Sequence, residues 1–518
     1  MAVDHIIIGS GINALVAGAM LGLRGDRVLL LEREPVAGGC MRTESITLPG
    51  FSHDVMAATF VLFLTSPAGA LLGPHLARHG FEYCHTAHPT AVLRPDGSAL
   101  VLTTNRKENI TAFNALASGD GGRHAADVGA IEADAQFLFA LLGGALWSWP
   151  TVRLLFRQTR KKGLRGLAAW MGTALSPARG WLESYQSPLV QALWAPWVLH
   201  CGLTPESAYS AQMGKVIAFA LEAAGAPIVK GGAGAAVSAF QRLITEKGGS
   251  IRTNADVEKI LVEGDRVRGI RLVGGEEIAC KSVLASVAPG QLHERLLQVD
   301  LPNDRAAAAK FRHGRGNFQL HYALDRHPEW LAAGLDDVAL IHLADGVDSV
   351  SKSANEAERG LLPETPTICV GQPHRLDPSR APEGKAILWL QVPDAPRVIK
   401  GDAAGVIAGR TWDDTSREAF ADRVEAILAR HIKDFDKIKL ARRAYSPADL
   451  ERMNINLVGG DPYGGACSID QFFIWRPFAH STNGTGAVRG LIHIGASTHP
   501  GPGLGGGSGY NAAKRLGA

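Results

Sequence analysis

The 518-residue sequence predicts an α/β fold. Two observations carry that expectation. In residues 3–43 a short apolar run, Ile6–Ile8, leads into Gly9-x-Gly11-x-x-Ala14, a helix-like segment to about Arg24, and a second apolar run, Val28–Leu31, ending on Glu32. This is the strand, glycine turn, helix, strand and acid of a Rossmann-like dinucleotide unit. Further along, strand-like runs such as Val267–Leu272, Phe318–Leu324, Ile368–Gly371 and Ile387–Val392 are set among long helix-like stretches.

Each residue of the opening unit has a physical role. Gly9 permits the tight turn, and Gly11 lets backbone N–H groups approach a pyrophosphate. Ile12 and Asn13 open the helix, whose N-terminus faces the negative charge, and the small Ala14 lets that helix pack close to its strand. Glu32, followed by Arg33, is placed to accept hydrogen bonds from ribose hydroxyls. Ile6–Leu23 carries no charged side chain, so hydropathy alone would flag a membrane span or signal sequence. Only Asp4 precedes it, without Lys or Arg, and Gly9, Ser10, Gly11 and Asn13 interrupt it, so a turn and a helix are expected instead.

Composition narrows the class. Apolar content of 46% with 20% charged residues suits a soluble enzyme of two domains, and a net charge of +3 excludes nucleic acid as the expected partner. The six cysteines, at 40, 84, 201, 280, 369 and 467, show neither a CxxC pair nor metal-ligand spacing. Reduced thiols, a cytoplasmic setting, no metal and no transmembrane helix are expected.

A strand, a glycine turn and an acid cannot separate NAD from FAD; the next residues bear on it. Val36-Ala37-Gly38-Gly39-Cys40-Met41-Arg42-Thr43 supplies a second glycine pair close to the first phosphate site. Exposed backbone there, with Arg42 nearby, suits a longer ligand that runs on past its pyrophosphate.

Here the sequence resembles the FAD-dependent oxidoreductases related to bacterial phytoene desaturases, carotenoid isomerases and pyridine nucleotide-disulfide oxidoreductase domain proteins. The likeness rests on the glycine motif, on Gly38–Thr43 as a Gly-Gly-x-x-x-Thr element, and on Pro49-Gly50-Phe51-Ser52-His53-Asp54. It is strongest at Gly490–Gly501, which contains Gly495, Ala496 and Thr498-His499-Pro500-Gly501, and in the glycine-rich stretch Leu504-Gly505-Gly506-Gly507 that follows. The resemblance implies non-covalent FAD, with Gly495–Ala496 and Leu504–Gly506 closing over its flavin end. Gly231–Gly234 and Gly248–Val257 resemble the family's central segment, with the Val257 backbone at the adenine. Gly232-Ala233-Gly234 could pass for a second fingerprint, but Ile228–Val229 is a short strand for it, and one dinucleotide site is expected.

The resemblance implies a Rossmann-like FAD-binding domain assembled from discontinuous segments, 1–75, 225–300 and 485–518, with an α+β substrate domain from 76–224 and 301–484. The first half of the substrate domain is expected to be helical. Catalytic candidates are His499, beside the flavin, and His53 and Asp54, on its substrate face; each could equally anchor a loop. Tyr185, Trp194, Trp197 and His200 could line a cavity, although core positions are the commoner fate of such residues. Phe137–Trp149, ending at Pro150 and followed by Arg157, Arg160, Lys161, Lys162 and Arg165, is expected to be a buried helix with a solvated basic end. Peripheral contact with an anionic membrane is the alternative. The expected activity is dehydrogenation of a carbon–carbon bond in a small, largely apolar, polyene- or isoprenoid-like substrate, with O2, a quinone or another molecule as electron acceptor. An amine or alcohol oxidase, a flavin-dependent isomerase and a non-catalytic flavin-binding protein are the other readings.

Overall fold

The computed structural model describes residues 3–518. The chain opens with strand β1 (Val3–Ile8), helix α1 (Ile12–Arg24) and strand β2 (Val28–Leu31), which matches the sequence reading to within three residues at one strand end. It then leaves the first sheet. Strands β3 (Thr90–Leu93) and β4 (Ala99–Leu102) pair as a hairpin, and helices α2 (Asp120–Gly143), α3 (Trp149–Ala174) and α4 (Ser210–Ala224) build a helical cap. Helix α5 (Ala233–Glu246) and strand β5 (Ser250–Arg252) return the chain, and a meander follows: β6 (Val257–Glu263), β7 (Arg266–Leu272) and β8 (Glu277–Ser286). Strands β9 (Gly316–Leu324), β10 (Leu340–Leu343), β11 (Ile368–Gly371), β12 (Ala386–Ala395) and β13 (Lys439–Tyr445) come next. Strand β14 (Leu491–Ile494) and helix α6 (Gly507–Arg515) close the chain.

Two seven-stranded sheets result. The first has the order β6-β7-β8-β1-β2-β5, with β14 also paired to β8. The second has the order β13-β9-β12-β11-β10-β3-β4. Strand β8 works in two modes. Its first residues run antiparallel to β7, and from Cys280 onward it runs parallel to β1, with β14 parallel on its other side from Val283. The runs Glu277–Cys280 and Ser282–Ser286, separate in the sequence reading, are thus one strand.

Packing explains the composition of α1. Every residue from Ile12 to Gly22 is buried, as expected of a helix held between a sheet and other helices. A Cβ on Gly18 would lie 2.9 Å from Leu30 Cδ1 and 3.3 Å from Ile244 Cδ1. Gly18 therefore joins Ala14 in permitting the close approach. Each fully buried Leu, Ile or Val along this face contributes roughly 1.5–3 kcal/mol relative to exposure.

Two expectations are corrected. Segment 76–224 is not wholly helical, because β3 and β4 join the edge of the second sheet. Pro150 does not end a helix but sits in the first turn of α3, where its missing N–H costs nothing. Nor is the segment before it uniformly buried: Phe137 and Leu138 are, but Phe139, Trp147 and Trp149 are exposed. Among the described residues no helix is long and apolar enough to cross a membrane, and the six cysteines form no disulfide.

Candidate functional site

The first glycine turn sits at the carboxyl end of β1, next to β8. Gly9 has φ +92°, and a Cβ there would come within 3.0 Å of the Ser286 carbonyl oxygen. Gly11 caps α1 without a side chain, no acid occupies the first turn, and a Cβ on Gly11 would meet nothing within 4 Å. The positive end of α1 is therefore uncompensated and opens onto free space, which fits an anionic phosphate. Ser10 ties the turn together: its N–H and Oγ–H donate to Glu32 Oε2 at 3.1 and 2.6 Å, and Oγ accepts from Gly38 N–H at 2.8 Å. Glu32 Oε1 accepts from Glu34 N–H at 3.0 Å. Three donors leave about one of the carboxylate's four lone-pair positions open.

The second glycine pair presses on the first turn. A Cβ on Gly39 would lie 3.1 Å from Gly11 Cα. Cys40 receives a hydrogen bond from Asn454 Nδ2 at 3.7 Å, and burial pushes its thiol up to about 11. Met41 is core, Arg42 pairs with Glu44 at 2.6 Å, and Arg33 lies 3.3 Å from Glu34. Val257 starts β6, and its carbonyl accepts from Arg295 at 2.9 Å.

The far end of the chain reaches the same crevice. Gly495 follows β14, and a Cβ there would lie 3.4 Å from Ser286 Oγ, so Ser286 separates the two glycine turns. Gly495 N–H donates to Ser508 Oγ at 3.2 Å, and Ala496 O accepts two hydrogen bonds from the buried Arg476. Helix α6 begins after Gly506, whose Cβ would lie 2.5 Å from Val16; Leu504 packs on the same core, and Gly505 lies beside Leu62. Two glycine-led helix ends thus meet at the carboxyl ends of parallel strands, the crevice where doubly wound sheets bind ligands.

The third glycine-led helix is closed. Asp54 Oδ1 accepts from Ala233 N–H at 2.8 Å, Thr43 Oγ1 accepts from Gly234 N–H at 2.8 Å, and Thr43 donates to Asp54 at 2.6 Å. Arg380, fully buried, pairs with Asp54 at 2.8 Å and donates to Ser52 O. The N-terminus of α5 therefore has its anion built in. Sequence reasoning singled out Asp54 and Thr43 but not Arg380, which lies far away in the chain.

His53 contacts the second sheet, its ring meeting His321 edge-on at 5.4 Å, while Thr47 Oγ1 lies 2.7 Å from Nε2. Burial pulls its pKa down to about 2. The inner face of that sheet carries a cross-strand row, Gln319, Gln391, Cys369 and His342, and a second row containing His321 and Trp389. Gln319 Oε1, Trp389 Nε1, His342 Nδ1 and both nitrogens of His321 are buried without a hydrogen-bond partner. His200 Nε2 lies 2.9 Å from His342 Nε2, and ligand atoms of His200, His342 and Cys369 fall within 4.8 Å of one another. Trp197 packs edge-on against His342, whereas Tyr185 and Trp194 are core, Tyr185 donating to Asp127. Both nitrogens of half-buried His499 also lack a partner, and burial pulls its pKa down to about 4.

A dinucleotide-type sheet reached by both chain ends, together with a second, mixed sheet that the His53 loop touches at His321, is the arrangement of a two-sheet flavoprotein oxidoreductase. Residues 15–453 match the flavin containing amine oxidoreductase family, and the chain belongs to it. It is 27% identical to rat pyridine nucleotide-disulfide oxidoreductase domain-containing protein 2, over 98% of this chain and 92% of that protein. It is 26% identical to hydroxyneurosporene desaturase of Rubrivivax gelatinosus, over 96% and 90%. The fold also matches cyclohexylamine oxidase from Brevibacterium oxydans, with TM-score 0.56 and 15% identity over 100% of this chain and 99% of that one. The protein is an FAD-dependent oxidoreductase.

Proposed function

We propose that the protein dehydrogenates a carbon–carbon bond of a neutral, largely apolar substrate of polyene or isoprenoid type. Bound FAD supplies an isoalloxazine that accepts a hydride at N5. The chain's part is to hold, orient and keep dry. The first-turn N–H groups of α1 at Ile12, Asn13 and Ala14 receive the pyrophosphate, and Glu32 offers its remaining lone pair to the ribose. Gly38 and Gly39 give the ligand backbone to run along, Val257 borders the adenine, and Gly495, Ala496 and Leu504–Gly506 border the flavin. Segments 1–75, 225–300 and 485–518 form the cofactor domain, and the remainder forms the substrate domain. The substrate's proton would pass to His499, which burial keeps neutral and whose ring lies beside the Gly144 backbone. His53, and Asp54 with Thr43 and Arg380, anchor the loop beneath.

The observation that carries this reading is the inner face of the second sheet. Gln319, His321, His342, Cys369, Trp389 and Gln391 present neutral groups, Tyr445 and the exposed Arg443 continue the rows at the sheet edge, and none of them is a carboxylate. A buried ammonium would need such a partner; a neutral substrate does not. The desaturase relative supports the same substrate class. Anaerobic mixing of holoenzyme with polyenes, amines and alcohols tests it. Polyenes should bleach the oxidised-flavin band; bleaching by amines alone would refute the proposal. Conversion of a polyene without consumption of any electron acceptor would assign an isomerase instead.

A further inference from the structure

We propose that helix α3 and the turn before it dock the protein onto an anionic lipid bilayer. From residue 135 to residue 182 the chain holds no carboxylate, yet Arg153, Arg157, Arg160, Lys161 and Lys162 lie in α3 ahead of its break at Gly163 (φ +71°), and Arg165 follows just after it. Lys162 finds an acid, Asp134, at 3.0 Å. The other five are exposed. A net charge of +3 for 518 residues therefore conceals a local block of six positive charges.

The same helix shows an apolar stripe to solvent. Trp149 is 76% exposed, Phe156 62% and Val152 52%, and Trp147 in the preceding turn is 53% exposed. Positions 149, 152 and 156 share one helical face, and Arg153, Arg157 and Arg160 flank it. Arg160 lies over the Phe156 ring at 5.9 Å. Water gains nothing from indole and phenyl rings held outward in a row. A bilayer uses both features: the rings enter the headgroup boundary and the guanidinium groups meet lipid phosphates. Nucleic acid would use the charges but leave the apolar stripe unburied.

Placement supports the choice. Asn483 brackets Trp147, accepting from its N–H at 3.2 Å and donating to its carbonyl at 2.9 Å, and Asn511 of α6 donates to Gly143 O at 3.0 Å. The aromatic tip is thus held by the loop before β14, and the end of α2 just ahead of it by the helix that follows the Gly495–Gly506 turn. The inference goes beyond the substrate assignment and holds whichever compound is oxidised.

Flotation of FAD-loaded protein with phosphatidylcholine vesicles, with and without phosphatidylglycerol, tests it. The protein should float with the anionic vesicles and at least tenfold less with phosphatidylcholine alone. Each basic residue near such a surface is worth about fivefold in partitioning, so Arg157→Glu with Arg160→Glu should lower it at least tenfold. Trp149→Ser with Phe156→Ser should lower it comparably. These side chains are exposed, so flavin content and Tm should be unchanged. Equal flotation with both vesicle types, or none with the anionic ones, overturns the proposal without any variant. Undiminished flotation of well-folded double variants overturns it as well.

Discussion

The side-chain oxygen of Asn13 accepts a hydrogen bond from the backbone N–H of Gly509 at 3.2 Å, joining helices from opposite ends of the chain. Asn13 lies in the first turn of α1 and Gly509 in the first turn of α6. The contact explains why the last helix begins with glycines. A side chain at 509 would stand where the backbone of α1 already is.

Gly509→Ala tests that contact. Its Cβ would fall 1.9 Å from Asn13 O, and the obstacle is backbone. Overpacking of this kind costs about 1–3 kcal/mol or more. The variant should show a lower Tm and a lower ratio of bound flavin to protein, read together from thermal unfolding and the visible spectrum.

Gly11→Val separates binding from folding. A Cβ at this position meets no protein atom within 4 Å, so the apoprotein should keep its unfolding midpoint. The expected outcome is soluble, colourless protein with FAD affinity at least about a hundredfold weaker, roughly 2.7 kcal/mol. Full yellow occupancy would contradict the placement of the pyrophosphate.

Asp54→Asn addresses the closed helix end. It leaves the buried guanidinium of Arg380 without its anion. Removing one partner of a buried pair costs about 3–5 kcal/mol. The urea midpoint should fall by that measure, whereas a surface-like effect would show Asp54 to be free of the anchoring role.

These residues show what was legible. The opening unit was readable because every element in it is local: the turn needs two glycines, α1 needs apolar residues all round, and β2 ends on its acid. Strands β3 and β4 were missed because four-residue apolar runs such as Thr90–Leu93 have no period that separates strand from helix. The row Gln319, Gln391, Cys369 and His342 was invisible for a different reason. It exists only through the register of four strands drawn from distant parts of the chain. Arg380 and Arg476 share that fate, because their partners are set by tertiary contact rather than by spacing. The two modes of β8 likewise follow from its neighbours, not from its own residues.

Stability should rise with pH between about 4 and 6.5. His493 and His200 have pKa values pulled down by burial to about 4, and His321 to about 3. Unfolded, each returns to about 6.5. In that window the unfolded chain binds more protons, so acidification favours unfolding. Urea midpoints at pH 5 should therefore lie below those at pH 7.5. His493→Gln, which replaces a ring whose Nε2 lies 2.8 Å from Val287 O, should shrink the difference even if it lowers both midpoints.

Strand β14 adds to a sheet whose other members have all been made by residue 286. On the ribosome, the nascent chain can assemble most of that sheet early, but the flank bearing Gly495 and α6 is among the last to emerge. If the flavin is held as proposed above, its capture must wait for that flank. Chains clipped before residue 491 would lose Ile492, Ile494, Ala512 and Ala513 from the core around α1 and should be both destabilised and colourless.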